Sequence, residues 1–216
     1  MANIETFQKV VKQAVELFPN NELCQRIDKQ SVLMKDYHSI LLMLFHQTFE
    51  GPSTFALAGA HCHPSQYVIR DYLLQHADEE RTHWQWIISD LKNTGYTGED
   101  PRLLFPKPAC QTYIAFNVYT AVRMPITRLA TAAVLESIGA QYGKTYTKNL
   151  CKILKLDQSQ AYFFYGHGDT DIGHTKDIFD LLNSASLSEK DWDWMCHAAQ
   201  MAGNFYTAMY NEALLS

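Results

Sequence analysis

No long apolar run, no surplus of positive charge and no nucleotide-binding or hydrolase fingerprint is found in this sequence. The longest apolar stretch, Ile40 to Phe45, is far shorter than the ~20 residues of a membrane-spanning helix. A net charge of −5 and the lack of a basic stripe argue against a nucleic-acid partner. Nothing supports an acidic partner surface either. GxGxxG, GxxxxGK[ST] and GxSxG are all missing, so nucleotide and hydrolase chemistry has no support. Five cysteines (Cys24, Cys62, Cys110, Cys151 and Cys196) are scattered, odd in number and never spaced as CxxC. They read as reduced, mostly buried thiols. The N-terminal MANIETFQKVVKQ carries charge where a signal peptide needs an apolar run. The expectation is a soluble cytoplasmic protein with no membrane partner.

What is present is helical periodicity. The 216 residues are 47% apolar, enough for a core without disulfide or metal staples. Strand signals and Asn-Gly or Asp-Gly hairpins are nearly absent. Phe7, Val10, Val11, Ala14 and Leu17 form an apolar stripe that Pro19-Asn20-Asn21 stops. Further helices are expected over about 29–49, broken at Gly51-Pro52, and over a shorter segment from Ser53 to Ala60. A long helix should run from the N-cap Ser65 to Asn93. A Gly- and Pro-containing loop follows, then helices over about 110–123, 125–154 and 159–182. Ser188 with Asp191 resembles a capping box opening a last helix to Leu214. The reading is all-α, about seven helices in one bundle, with residues 1–216 as a single domain.

The nine histidines carry the functional signal. His76, Glu80 and His83 form H-x3-E-x2-H; His167, Asp171 and His174 form H-x3-D-x2-H. Spacings of four and three place each triplet on one helical face. One such triplet is expected by chance roughly 0.04 times per chain of this composition, so two are a strong signal. Imidazole with carboxylate suits iron and manganese. Glu136 lies in the small, apolar stretch ATAAVLESIGAQYG, where an ionised carboxylate needs a partner, and a metal would serve. Glu79 is also on the face of His83, so either it or Glu80 could be the ligand. His61-Cys62-His63 reads as a loop or surface segment, His46 as a hydrogen-bonded core histidine with a cavity-facing position as the alternative, and Phe163-Phe164-Tyr165 as core. His38 and His197 have no companions, and Arg123 and Arg128 fit helix ends as well as a substrate anchor.

At these residues the sequence resembles the heme-oxygenase-like di-iron oxidases and oxygenases. Their wider fold group includes the TenA proteins and the pyrroloquinoline quinone synthase. The resemblance covers about residues 31–214. It rests on Glu79-Glu80 with His83, on Glu136 ahead of Tyr142-Gly143, and on His167, Asp171 and His174. It places Glu136 and Asp171 at the family's metal carboxylates, the residues expected to be catalytic. His76 stands where several members carry a glutamate, so His76 replaces that ligand or Glu80 takes its role. The resemblance implies a heme-oxygenase-like helical fold and two iron ions, with manganese as the substitute and O2 as co-substrate. It also implies oxidation of a small amine, amino acid or fatty acid. Glu136 and Asp171 would bridge or flank the irons, with His167 and His174 divided between them. No heme-ligand motif matches. The competing expectations are a non-catalytic metal or oxygen carrier and a metal-free binding protein of the same fold. A homodimer is the base-rate expectation.

Overall fold

The computed structural model describes residues 2–215, without the side chains of Asp169 and Thr170. Met1 and Ser216, at the ends of the expected domain, lie outside the described residues. Asn3 starts the first helix, its Oδ1 accepting the Thr6 N–H at 2.9 Å. From this cap α1 (Ile4–Leu17) runs with Phe7, Val11, Ala14 and Val15 buried, the stripe read from the sequence. A short α2 (Glu22–Asp28) follows, capped by the buried Asn21.

The third helix departs from expectation. α3 (Met34–His61) continues through Pro52 instead of stopping there. A proline inside a helix costs about 3 kcal/mol. Here the residues beyond it include buried Phe55, Ala58 and Gly59, and their packing opposes that cost. Gly59 lets the neighbouring helix come close: a Cβ there would lie 3.0 Å from the Leu74 side chain.

The expected Ser65–Asn93 helix is two helices, α4 (Tyr67–Glu80) and α5 (Trp84–Asn93). Between them the chain tightens into i→i+3 bonds, with the N–H groups of His83 and Trp86 reaching Glu80 and His83 carbonyls. That tighter winding changes the helical phase between Glu80 and His83. Ser65 sits in a 3₁₀ turn, not at the N-cap.

α6 (Pro108–Arg123) and α7 (Thr127–Ile138) follow. The helix read as continuous to Leu154 contains a π-helical segment, Gly139–Gly143, before α8 (Lys144–Leu154). α9 (Tyr162–Ser184) and α10 (Glu189–Ala213) complete the chain, the latter opened by the expected Ser188/Asp191 capping box. No strand occurs among the described residues.

α3 packs along α4, α5 and α6, and α10 along α1, α6 and α7. α9 lies against α7, α5 and the π-helical segment. α4, α7 and α9 therefore surround one region of the interior, and they carry the residues singled out above.

Candidate metal centre

The site is assembled from three segments. His76 and Glu80 come from α4, His83 from the turn after it, Glu136 from α7, and His167 and His174 from α9. Ligand atoms of His76, Glu136 and His174 lie within 4.8 Å of one another, as do those of Glu80, His83 and His167.

In the first group His76 Nε2 is 3.5 Å from Glu136 Oε1, and His174 Nδ1 is 3.3 Å from Glu136 Oε2. In the second, His83 Nδ1 donates to Glu80 Oε2 at 2.7 Å, and His167 Nε2 is 3.7 Å from the same oxygen. Glu80 Oε1 is also 4.0 Å from His174 Nδ1, so Glu80 stands between the groups. His167 Nδ1 donates to the Phe163 carbonyl at 2.9 Å. That bond fixes the ring and leaves Nε2 toward Glu80, the arrangement typical of a metal-ligating histidine.

Burial works against ionising Glu80 and Glu136. Hydrogen bonds and charge from His167 and His83 nevertheless hold Glu80 far below the usual carboxylate range, and His174 with His76 takes Glu136 to about 2. Glu136 in turn raises the His174 imidazole, against its burial. The raised His174 imidazole thus offsets part of the carboxylate charge, as a cation would. The balance is incomplete, because both ring nitrogens of His76 and Glu80 Oε1 are buried without a hydrogen-bond partner. Orphaned donor atoms in a His/Glu cluster are what a site for a divalent metal would contain. The residues present fit a metal pair.

Glu79 is at the rim. Its side chain is 43% exposed and its Oε2 is 3.6 Å from His174 Nε2, while Gln75 Nε2 donates to Oε1. Asp171 is not brought into either group. It is buried on α9 against the π-helical segment, where a Cβ on Gly139 would land 1.6 Å from its Oδ2. Of the other histidines, His63 caps a 3₁₀ turn through Ser65, and His38 bonds Thr94 Oγ1.

A cavity of about 130 Å³ adjoins the centre. His76, Glu80, Glu136 and His167 form a polar wall, with Asp171 nearby on the lining and Phe55, Leu135 and Ile138 among the apolar residues. Phe163 and Phe164, read as core, also line it. Trp86 stacks on His83 at 3.9 Å between ring centroids. By sequence Arg128 fits a helix end and a substrate anchor equally. It is buried and faces this cavity, whereas Arg123 is exposed at the end of α6. The available signal was a charge within the apolar ITRLATAAVLES, whose only charged residues are Arg128 and Glu136, the same argument that selected Glu136.

A family profile described as iron-containing redox enzyme matches residues 45–206. The chain belongs to this family. The matched residues include every member of both donor groups. Family membership agrees with the resemblance read from the sequence. No curated protein matches the chain.

Among solved structures, a domain of unknown function with a heme oxygenase-like fold from Shewanella denitrificans superimposes with a TM-score of 0.87 at 20% identity, covering 95% of this chain and 89% of that one. A TenA homologue from P. horikoshii gives 0.79 at 13% identity, covering 99% and 98%. Heme oxygenase-1 from Synechocystis, solved in complex with heme, gives 0.73 at 15% identity, covering 97% and 90%. At these identities the likeness establishes the heme oxygenase-like fold alone.

Proposed function

We propose that this chain is a non-heme di-iron oxidase or oxygenase acting with O2 on a small organic substrate. His76, Glu136 and His174 would hold one iron; Glu80, His83 and His167 would hold the other, with Glu80 between them. The observation that carries the reading is the pair of three-donor groups with three buried atoms that make no hydrogen bond, His76 Nδ1, His76 Nε2 and Glu80 Oε1. Manganese suits the same donors. The reading treats the chain as one helical domain.

The metals would supply the electrons for O2 reduction. The protein's own residues account for the rest. The Phe163 carbonyl orients His167, and Trp86 holds the His83 ring by stacking. Apolar side chains around the cavity keep bulk water from the reacting groups. Asp171 lines the cavity outside the donor groups and is assigned to shaping the floor against Gly139, not to ligation. Metal-free binding of a small molecule, the competing reading, leaves the orphaned His76 nitrogens unexplained.

The test is anaerobic Fe(II) titration, then exposure to O2 with visible absorption recorded. Saturation near two irons per chain, followed by an O2-dependent absorption change, is expected. His174→Ala should weaken binding by at least about tenfold. Equal iron content in wild type and His174→Ala would overturn the metal assignment. Two bound irons without O2 consumption would make the protein a carrier or store.

A further inference from the structure

The geometry points to Arg128 as an anion anchor that selects a small organic carboxylate, with an uncharged apolar body, as the molecule held in the cavity beside the metal centre. As a substrate assignment this rests on the proposed oxidase reading; as a binding site it does not.

Arg128 is 3% exposed on α7, eight residues before Glu136. Its Nε donates to Thr54 Oγ1 at 2.9 Å and its Nη1 to Thr131 Oγ1 at 2.6 Å. Its guanidinium carbon lies 3.6 Å from the centroid of the Phe55 ring. These partners are all neutral. No carboxylate among the described residues lies within 4.0 Å of it, and Nη2 has no hydrogen-bond partner. An arginine keeps its charge even when buried. A buried charge without a counterion is costly and is normally paired.

The place where a counterion could sit is open, because Arg128 lines the same cavity as His76, Glu80, Glu136 and His167. Phe55 connects the two ends: one neighbour of its ring is the Arg128 guanidinium, and another is the His76 ring, at 4.4 Å. Glu80 and Glu136 act on Arg128 only through longer-range charge, and their hydrogen bonds go to histidines. Tyr113 and Asn117, buried close enough to act on each other, line a small second pocket that Arg128 shares. Arg128 thus gives the cavity a second polar patch besides the wall of His76, Glu80, Glu136 and His167.

The chemistry of the occupant follows. A planar guanidinium with a free edge matches a carboxylate. A cationic amine would meet Arg128 as a like charge. The remaining wall is mainly apolar, so the rest of the molecule should be hydrocarbon. The 130 Å³ cavity is near the ~150 Å³ of one that holds benzene. An aliphatic acid of medium chain length is the matching probe.

The experiment compares heptanoate, heptanamide and heptylamine by calorimetric titration, using protein of measured metal content in metal-free and Zn(II)-loaded forms. Heptanoate is expected to bind at least about tenfold tighter than heptanamide, with heptylamine weakest. Arg128→Gln should erase the acid-over-amide preference while leaving Zn(II) stoichiometry unchanged. Arg128→Lys should retain part of it. Equal affinity of acid and amide, no binding of either, or tightest binding of the amine would each overturn the anchor with the wild-type protein alone. Persistence of the preference in Arg128→Gln would overturn it too. If the acid preference holds but two metals do not bind, the oxidase reading falls and the anion site stands.

Discussion

His76 shows most directly what the centre lacks. Both of its ring nitrogens are buried and make no hydrogen bond, and each unmet group costs about 1–3 kcal/mol. The Tyr72 ring stacks beside it, Phe55 packs edge-on and His174 lies at 4.7 Å, so the ring is held in place without those bonds. Glu79 and Glu80, adjacent in the chain, differ in kind. Glu80 reaches three histidines across both groups, whereas Glu79 is at the exposed rim with Gln75. Glu80→Ala should therefore lower iron content from about two per chain to one or less. Glu79→Ala should leave stoichiometry unchanged, with metal analysis after gel filtration as the measurement. Both glutamates were candidates in the sequence, because a face defined by i, i+3 and i+4 spacing is wide enough for either.

Two elements position the donors, and each rests on one local feature. The π-helical segment begins at Gly139, where any side chain would strike Asp171. Such insertions occur often at functional sites because they re-aim the helix that carries them. Gly139→Ala should destabilise the protein by about 1–3 kcal/mol in urea denaturation; a change below 0.5 kcal/mol, itself near the ~0.5 kcal/mol of a neutral surface substitution, would show that the contact relaxes freely. α9, bearing His167 and His174, is pinned at its start by Asp90 of α5. The Asp90 carboxylate accepts the backbone N–H groups of Tyr162 and Phe163 at 3.0 and 2.9 Å.

Burial raises the Asp90 carboxyl from 3.8 to about 6, in spite of those bonds. A group raised on folding contributes its stability fully below its unfolded value and loses it as pH rises through the folded value. Relative to Asp90→Asn, wild type should thus lose about 3 kcal/mol between about pH 4 and pH 6. Parallel stability profiles of the two proteins would disprove this titration. Asp90 carried no sequence signal, since nothing local shows that it meets a helix starting more than seventy residues later.

At the scale of the whole molecule, a metal pair would tie α4, α7 and α9 together across the interior. Removing it should then loosen the bundle as a unit. At a free metal concentration of about a hundred times Kd each site adds about 2.7 kcal/mol. With about 2–4 °C per kcal/mol for a chain of this length, chelation should lower Tm by about 10 °C or more. An unchanged Tm on loading and chelation would place the ions outside the folded core. No helix among the described residues is long and apolar enough to cross a membrane.

An all-helical bundle and five of the six residues that converge at the centre were legible in the chain, because helical periodicity and His-x3-carboxylate-x2-His spacing are local properties of sequence; Glu136 stood out by its apolar surroundings, and the heme oxygenase-like fold by resemblance. Helix boundaries at Pro52 and at Arg81–His83 were not, since distant packing outweighed the local preferences there. Tertiary structure alone decided that Glu80 comes near histidines of both groups, that Asp171 packs against Gly139, and that Arg128 opens onto the same cavity. The physical reason is one of range. Periodicity determines which face of a helix a side chain occupies, while the distance between charges on separate helices depends on how those helices approach and rotate, which is settled only by packing of the complete bundle.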